Sequence, residues 1–315
     1  MKFIRPLLQL PITFSADRLR AEVEALAESA WTPHPQGFGG NDAIALVSPH
    51  GALTDQLSGP MAPTEHLLKL DYLISVMGEL GSVWGRSRLM RLAPGAEVPP
   101  HVDLNHYWRT HIRIHIPVIT NSDVIFTCGD DSVHMAAGEC WVFDSFQLHD
   151  VQNRGSERRV HLVLDTVGGD CLWQLIDAAE SGAKPAAGPW FPDAAFNPLP
   201  LRFEQINLPK VMSPWEIRAH VCYLSEAIDN QYAPEAVLKR VDRFVATWFA
   251  AWSQFGESDD GLPAYRALIA AARQDIADLR GSDILLTNST PLSLALDALI
   301  FSSAVAHSRP FAQHR

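Results

Sequence analysis

The sequence predicts a mainly β protein with flanking helices: a jelly-roll or small barrel core followed by a C-terminal helical region. Three observations carry that expectation. From about residue 38, short apolar or alternating runs are broken at close intervals by Gly, Pro, Asn and Asp, as in strands joined by tight turns. Two of these runs carry an apolar face and a cationic face. After about residue 205 the apolar spacing becomes helical.

Taken in order, residues 1–14 superficially resemble a signal peptide, with Lys2 and Arg5 ahead of an apolar stretch. That stretch is short, is interrupted by Gln9 and Pro11, and lacks a small-residue cleavage site. It reads as an early strand. Ser15 then caps an expected amphipathic helix over 16–30, with Leu19, Val23 and Leu26 on one face. A second helix is expected over 67–80, outside the sheet.

The first informative run is 111–118, where Ile112, Ile114, Ile116 and Val118 alternate with His111, Arg113 and His115. The second is 158–165, where Val160, Leu162 and Leu164 alternate with Arg159 and His161. The third, 138–144, leads into the turn before His149. Side chains alternate across a strand, so the first two runs each present one apolar and one largely cationic face. Two such faces, both without Lys or Glu, suggest a polar cavity lined by strands and covered outside by helices or a second sheet.

Beyond a Pro-, Ala- and Gly-rich linker at 182–200, helical spacing recurs over 213–228, 234–255, 263–279 and 291–306. The expected organisation is a β domain over 1–205 and a helical domain over 206–315. The latter is a possible homodimer surface.

The net charge of −11 argues against a nucleic-acid surface, although one or two arginines suffice for a small carboxylate ligand. No apolar run approaches the length needed to cross a membrane. Cys128, Cys140, Cys171 and Cys222 form no Cys-x-x-Cys pair and read as buried, reduced thiols of a cytoplasmic protein.

The chemistry concentrates at His101-Val-Asp103, which puts an imidazole and a carboxylate on the same side of a strand end. His149 is the candidate third ligand. Two histidines and one carboxylate on one face of a metal leave positions open for non-haem iron(II) and O2. Arg159, ten residues after His149, can clamp a dicarboxylate beside such an ion.

Over 88–166 the chain resembles the aspartyl/asparaginyl β-hydroxylase family, which includes bacterial free-proline cis-4-hydroxylases. The matching stretches are Pro94-Gly95 leading to His101 and Asp103, Arg113 to His115, Gly138-Glu139 with Trp141, 143–149, and 159–165. The resemblance implies a double-stranded β-helix, with His101, Asp103 and His149 holding Fe(II). It further implies Arg159 on the distal carboxylate of 2-oxoglutarate, His115 on the same cosubstrate, and Arg113 on the cosubstrate or substrate side. The implied activity is hydroxylation of an unactivated C–H of an amino acid, free or within a peptide, with release of succinate and CO2. Met90 departs from the family by standing where some members carry a serine that assists the distal carboxylate. Asp103 aligns the chain with bacterial members acting on small substrates.

Other residues have plainer readings. His106, Tyr107 and Trp108 can floor a pocket or cap a strand, and His134 and His161 read as hydrogen-bonded core histidines. Asp144 and Asp165 read as turn residues. Arg88 and Arg91 are open between a substrate carboxylate and surface ion pairing, and Asn41 reads as part of a turn. Residues 36–62 and 104–110 are expected to be mobile loops. Two alternatives stand beside the oxygenase: a cupin-like metal protein with other chemistry, and a silent barrel whose C-terminal helices bind a protein.

Overall fold

A computed structural model of the chain describes residues 3–34, 37–193 and 196–306. Met1 and Lys2 of the expected first strand, Gln36 of the expected loop, and two residues of the linker lie outside them. Contacts divide the chain into two compact units. Among the described residues, one comprises those up to His101 together with Thr110–Asn207; the other comprises Val102–Arg109 and those from Leu208 to Ala306.

In chain order the strands of the first unit are β1 (Leu7–Thr13), β2 (Thr32–Pro33), β3 (Asn41–Pro49), β4 (Met61–Pro63), β5 (Val83–Leu92) and β6 (Glu97–His101). There follow β7 (Ile112–Ile119), β8 (Val124–Cys128), β9 (Asp131–Val133), β10 (Glu139–Phe143), β11 (His149–Asn153), β12 (Arg159–Thr166) and β13 (Arg202–Phe203). They form two sheets. The nine-stranded sheet has the path β1-β10-β7-β12-β5-β3-β2, with β13 beside β5 and β4 beside β3. The four-stranded sheet has the order β6-β11-β8-β9. From β5 to β12 the chain passes back and forth between the sheets, with β8 and β9 together in the small one, as in a double-stranded β-helix.

The apolar parity read from the sequence decides which face is covered. Ile112, Ile114, Ile116 and Val118 of β7, Val160, Leu162 and Leu164 of β12, and Leu89 of β5 share one core. It also holds Leu19 and Val23 of helix α1 (Ala16–Glu24) and Leu73, Val76, Met77 and Leu80 of α2 (Asp71–Leu80). Each such aliphatic side chain contributes about 1.5–3 kcal/mol when fully buried. A smaller cluster holds Phe126, Phe143, Val124, Val151 and Leu92.

Two turns aim the strands. Pro94 and Gly95 occupy the centre of a turn closed by Ala96 N–H on the Ala93 carbonyl at 3.1 Å, and Gly95 has φ +70°. That is the chemistry of a type II turn, and it delivers the chain into β6. At Gly138, φ is +84° and a Cβ would collide with the Phe14 carbonyl.

Several expectations are corrected. The helix over 16–30 stops at Glu24, and a 3-10 turn follows over Glu28–Ala30. Its cause is tertiary: Arg91 pairs with Glu28 at 2.7 Å and stacks on Trp31 with its guanidinium 4.5 Å from the ring centroid. Asn41 is buried at the start of β3 rather than in a turn, so much of 36–62 is strand. Residues His106–Thr110 form a short helix, α3, instead of a loop. Helix α4 (Asp170–Glu180), with Leu172, Ile176 and Ala179 buried on one face, lies in a stretch read as β-rich. Its short apolar stripe was the available signal.

The second unit contains α5 (Pro214–Glu226), α6 (Glu235–Phe255), α7 (Leu262–Asp278) and α8 (Leu292–Leu296). Ser213 caps α5, accepting from Glu216 N–H at 3.2 Å. Cys128 and Cys140 are buried, but Cys171 and Cys222 are exposed, each on the outward side of an amphipathic helix. Among the described residues, no helix is long and apolar enough to cross a membrane.

Candidate metal and dicarboxylate site

His101 ends β6 and His149 begins β11, and antiparallel pairing sets these two residues directly opposite each other. Their ring centroids are 4.2 Å apart. Asp103 follows His101 by two residues, and one ligand atom from each of the three lies within 4.8 Å of the others. The structure therefore brings together the three residues singled out as metal ligands.

The tautomers suit a metal. His101 Nδ1 lies 2.9 Å from the Pro99 carbonyl, and His149 Nδ1 lies 2.9 Å from the Gln147 carbonyl. A carbonyl only accepts, so each Nδ1 carries the proton and each Nε2 keeps its lone pair. An imidazole held in this way by a backbone carbonyl is oriented for ligation through its other nitrogen. The turn that positions His149 is fixed by Asp144, whose carboxylate accepts from Phe146 N–H at 3.1 Å. With two imidazoles and a carboxylate converging, the residues fit a divalent transition metal.

Beside this cluster lies the cationic face of the large sheet. Arg159 is buried, and its Nη2 donates to His161 Nδ1 at 2.7 Å. The proton of His161 therefore sits on Nε2. Among the described residues, His161 Nε2, Arg159 Nε and His115 Nδ1 are all buried without a hydrogen-bond partner. Such atoms cost about 1–3 kcal/mol each when left unsatisfied. Burial pushes the pKa of Arg159 down to about 9, which still leaves the guanidinium charged at neutral pH. Burial, followed by the charge of Arg159, holds both His115 and His161 well below the usual histidine range. An anion with several oxygens fits this group, since a guanidinium and an imidazole N–H both point donors at it.

His115 also meets the edges of Phe143 and Phe126, at 5.2 and 5.5 Å between centroids, and Phe143 in turn lies 4.9 Å from His149. The phenyl rings thus form an apolar wall between the metal cluster and the cationic face. Met90 is the register partner of His161 across β5 and β12, so His161 stands opposite the position that lacks a serine hydroxyl.

Arg113 donates from Nε to Asp165 at 2.9 Å, and Arg86 Nε lies 3.7 Å from the same carboxylate. Asp165 is thus no turn residue: it lies within β12, near its end, and braces arginines. Arg88 is buried with Nη1 2.7 Å from Asp55. Arg91 takes the surface alternative, pairing with Asp42 and Glu28. His134 Nδ1 donates to the Val124 carbonyl at 3.1 Å, a core role. His106, Tyr107 and Trp108 are buried in α3.

Sequence reasoning passed over Arg86 and Asp55. Arg86 had a weak signal, because Arg86 and Arg88 share one strand parity and Leu89 takes the other. Asp55 had none, being a lone carboxylate in a loop.

Residues 64–168 match the aspartyl/asparaginyl β-hydroxylase family model. The matched segment contains His101, Asp103, His149 and Arg159, and it ends just after β12. L-proline cis-3-hydroxylase 1 from Streptomyces sp is 30% identical over 176 residues, covering 49% of this chain and 57% of the relative. L-proline cis-4-hydroxylase from Rhizobium meliloti (strain 1021) is 32% identical over 79 residues, or 25% of this chain and 28% of the relative. A solved oxidoreductase of the 2OG-Fe(II) oxygenase family from Burkholderia pseudomallei covers 52% of this chain and 88% of its own. It is 13% identical, with a TM-score of 0.38.

Proposed function

We propose that the protein is an iron(II)- and 2-oxoglutarate-dependent dioxygenase that hydroxylates an unactivated C–H of an amino acid. The observation that carries this reading is the His101, Asp103 and His149 cluster with both imidazole Nδ1 atoms committed to backbone carbonyls. The family match of 64–168 and the names of the two proline hydroxylases support it. In this reading residues 1–205 form the oxygenase domain and 206–315 a helical domain.

Bound iron(II), 2-oxoglutarate and O2 together supply an oxidant for the C–H bond, with release of succinate and CO2. The chain's own residues hold and orient. His101, Asp103 and His149 ligate the metal through two imidazole Nε2 atoms and a carboxylate oxygen. Arg159 takes the distal carboxylate of 2-oxoglutarate, and His161 fixes the guanidinium through the 2.7 Å hydrogen bond. His115 contacts the same cosubstrate, while Arg113, braced by Asp165, faces the cosubstrate or substrate side. Phe126 and Phe143 keep water from the space between.

The substrate is a small acid in this reading, because the polar sheet face carries Arg86, Arg88, Arg113 and Arg159 against Asp55 and Asp165. A cytoplasmic location is supported by the four free cysteines. A homodimer through the C-terminal helices is supported by exposed Trp215 and Phe249, whose rings meet at 6.0 Å.

The test is anaerobic titration of the apo-protein with iron(II) and 2-oxoglutarate, followed by visible absorption. A charge-transfer band in the wild type that is absent in His101→Ala is expected. Metal binding without the band would defeat the cosubstrate assignment and favour a cupin-like protein of other chemistry.

A further inference from the structure

The segment between β3 and β4 carries a carboxylate into the cationic face. Asp55 Oδ1 lies 2.7 Å from Arg88 Nη1 and 3.4 Å from Arg86 Nη1. Its other oxygen, Oδ2, is buried and receives no hydrogen bond among the described residues. A carboxylate offers about four acceptor sites, so a buried oxygen left without a donor is incomplete recognition.

The segment is fixed at several points, although it pairs with no strand. His50 N–H donates to the Pro60 carbonyl at 2.7 Å, and Arg86 Nη1 donates to the Asp55 carbonyl at 3.2 Å. Asn207 holds it from a distant part of the same unit, donating to the Leu57 carbonyl at 2.7 Å and accepting from Gly59 N–H at 2.9 Å. Asp55 is therefore presented, not tethered at random. Burial raises its pKa, but Arg88, Arg86 and His34 more than offset that, so the carboxyl stays ionised at neutral pH. Register ties it to the cationic face: Arg88 of β5 and His115 of β7 are both partners of Val163 on the β12 strand between them.

A buried anionic oxygen amid a guanidinium excess is complementary to a zwitterion. Its carboxylate suits the arginines, and its ammonium suits the oxygen that they leave uncovered. A neutral amide nitrogen, as in an acylated or peptide-internal residue, brings no charge to Oδ2. We propose that Asp55 is the acceptor for the α-ammonium group of the substrate and makes the site selective for free α-amino acids. This inference rests on the dioxygenase reading above.

The test is calorimetric titration, without oxygen, of the iron(II)- and 2-oxoglutarate-loaded protein with the twenty free L-amino acids and their N-acetyl derivatives. At least one free amino acid is expected to bind, with its N-acetyl form weaker by about tenfold or more, as for loss of a charge-assisted hydrogen bond. Asp55→Asn should weaken the free amino acid by about tenfold while leaving the N-acetyl form within about twofold. Retention of the charge-transfer band in this variant shows that it is folded and loaded. A preference for the free amino acid that survives in Asp55→Asn overturns the proposal and leaves Asp55 as a brace for arginines. So does a wild type that forms the band yet binds no free amino acid, and in that case the dioxygenase reading stands. Absence of the band in the wild type defeats both.

Discussion

Two pairs of histidines lie close together in the sheet unit, and they differ in what their ring nitrogens touch. His101 and His149, on the small sheet, each donate from Nδ1 to a carbonyl two residues back and keep a basic Nε2. His115 and His161, on the large sheet, are buried beside Arg159, and their pKa values are driven down by burial and by its charge. The first pair is arranged to give electron pairs to a metal. The second belongs to a group that receives an anion, with His161 giving its Nδ1 lone pair to Arg159. One residue type performs two tasks, and the partner of the second nitrogen decides between them.

The largest effect that would break this contrast is at Arg159. Arg159→Ala should raise the apparent KM for 2-oxoglutarate by about two orders of magnitude, as for removal of a buried charged partner. Metal affinity, measured by anaerobic iron titration, should hardly change. A comparable loss of iron binding would mean that the two histidine pairs form one undivided site. His161→Phe comes next. It removes the 2.7 Å partner of Arg159 and should raise the same KM by about tenfold, with kcat at saturating cosubstrate little altered. An unchanged KM would reduce His161 to packing.

The smallest effect concerns stability and sharpens the comparison from outside the site. His220 of α5 is also buried, and burial, with Arg109 and His106, draws its pKa down to about 3. Unfolded, it titrates near the usual histidine value of about 6.5. Between those values the unfolded chain binds a proton that the folded chain refuses. Stability is therefore full above about pH 6.5 and falls as pH drops toward 3, by about 1.4 kcal/mol per pH unit. Melting temperatures followed across that range should fall less steeply for His220→Gln. An identical slope would show that His220 is not the group responsible. A depressed histidine pKa thus marks burial, and only geometry distinguishes a site from a core.

Much of this site was legible because strand parity is a local property. The alternation at 112–118 and 158–165 separated the covered face from the cationic face, and His101 and Asp103 share a parity through their spacing alone. The Pro94-Gly95 turn was equally local. His161, expected to be a hydrogen-bonded core histidine, is buried and hydrogen-bonded, and its partner is Arg159. Asp165 was misread as a turn residue because its role depends on Arg113, 52 positions away. The helix at 16–30 was overextended for the same reason, since Arg91 of β5 holds Glu28 and Trp31 outside it.

By itself, the sequence determined the sheet-rich class, the faces of the strands, the helical C-terminal region and the residue types able to bind a metal and a dicarboxylate. Those follow from period, turn chemistry and donor type, which act over a few residues. Only the tertiary structure decided that His101 and His149 are register partners, that Arg86 and Arg88 share the carboxylate of Asp55, and that Asp55 keeps one buried oxygen uncovered. Pairing register and loop placement depend on contacts between residues far apart in the chain, and no local pattern records them.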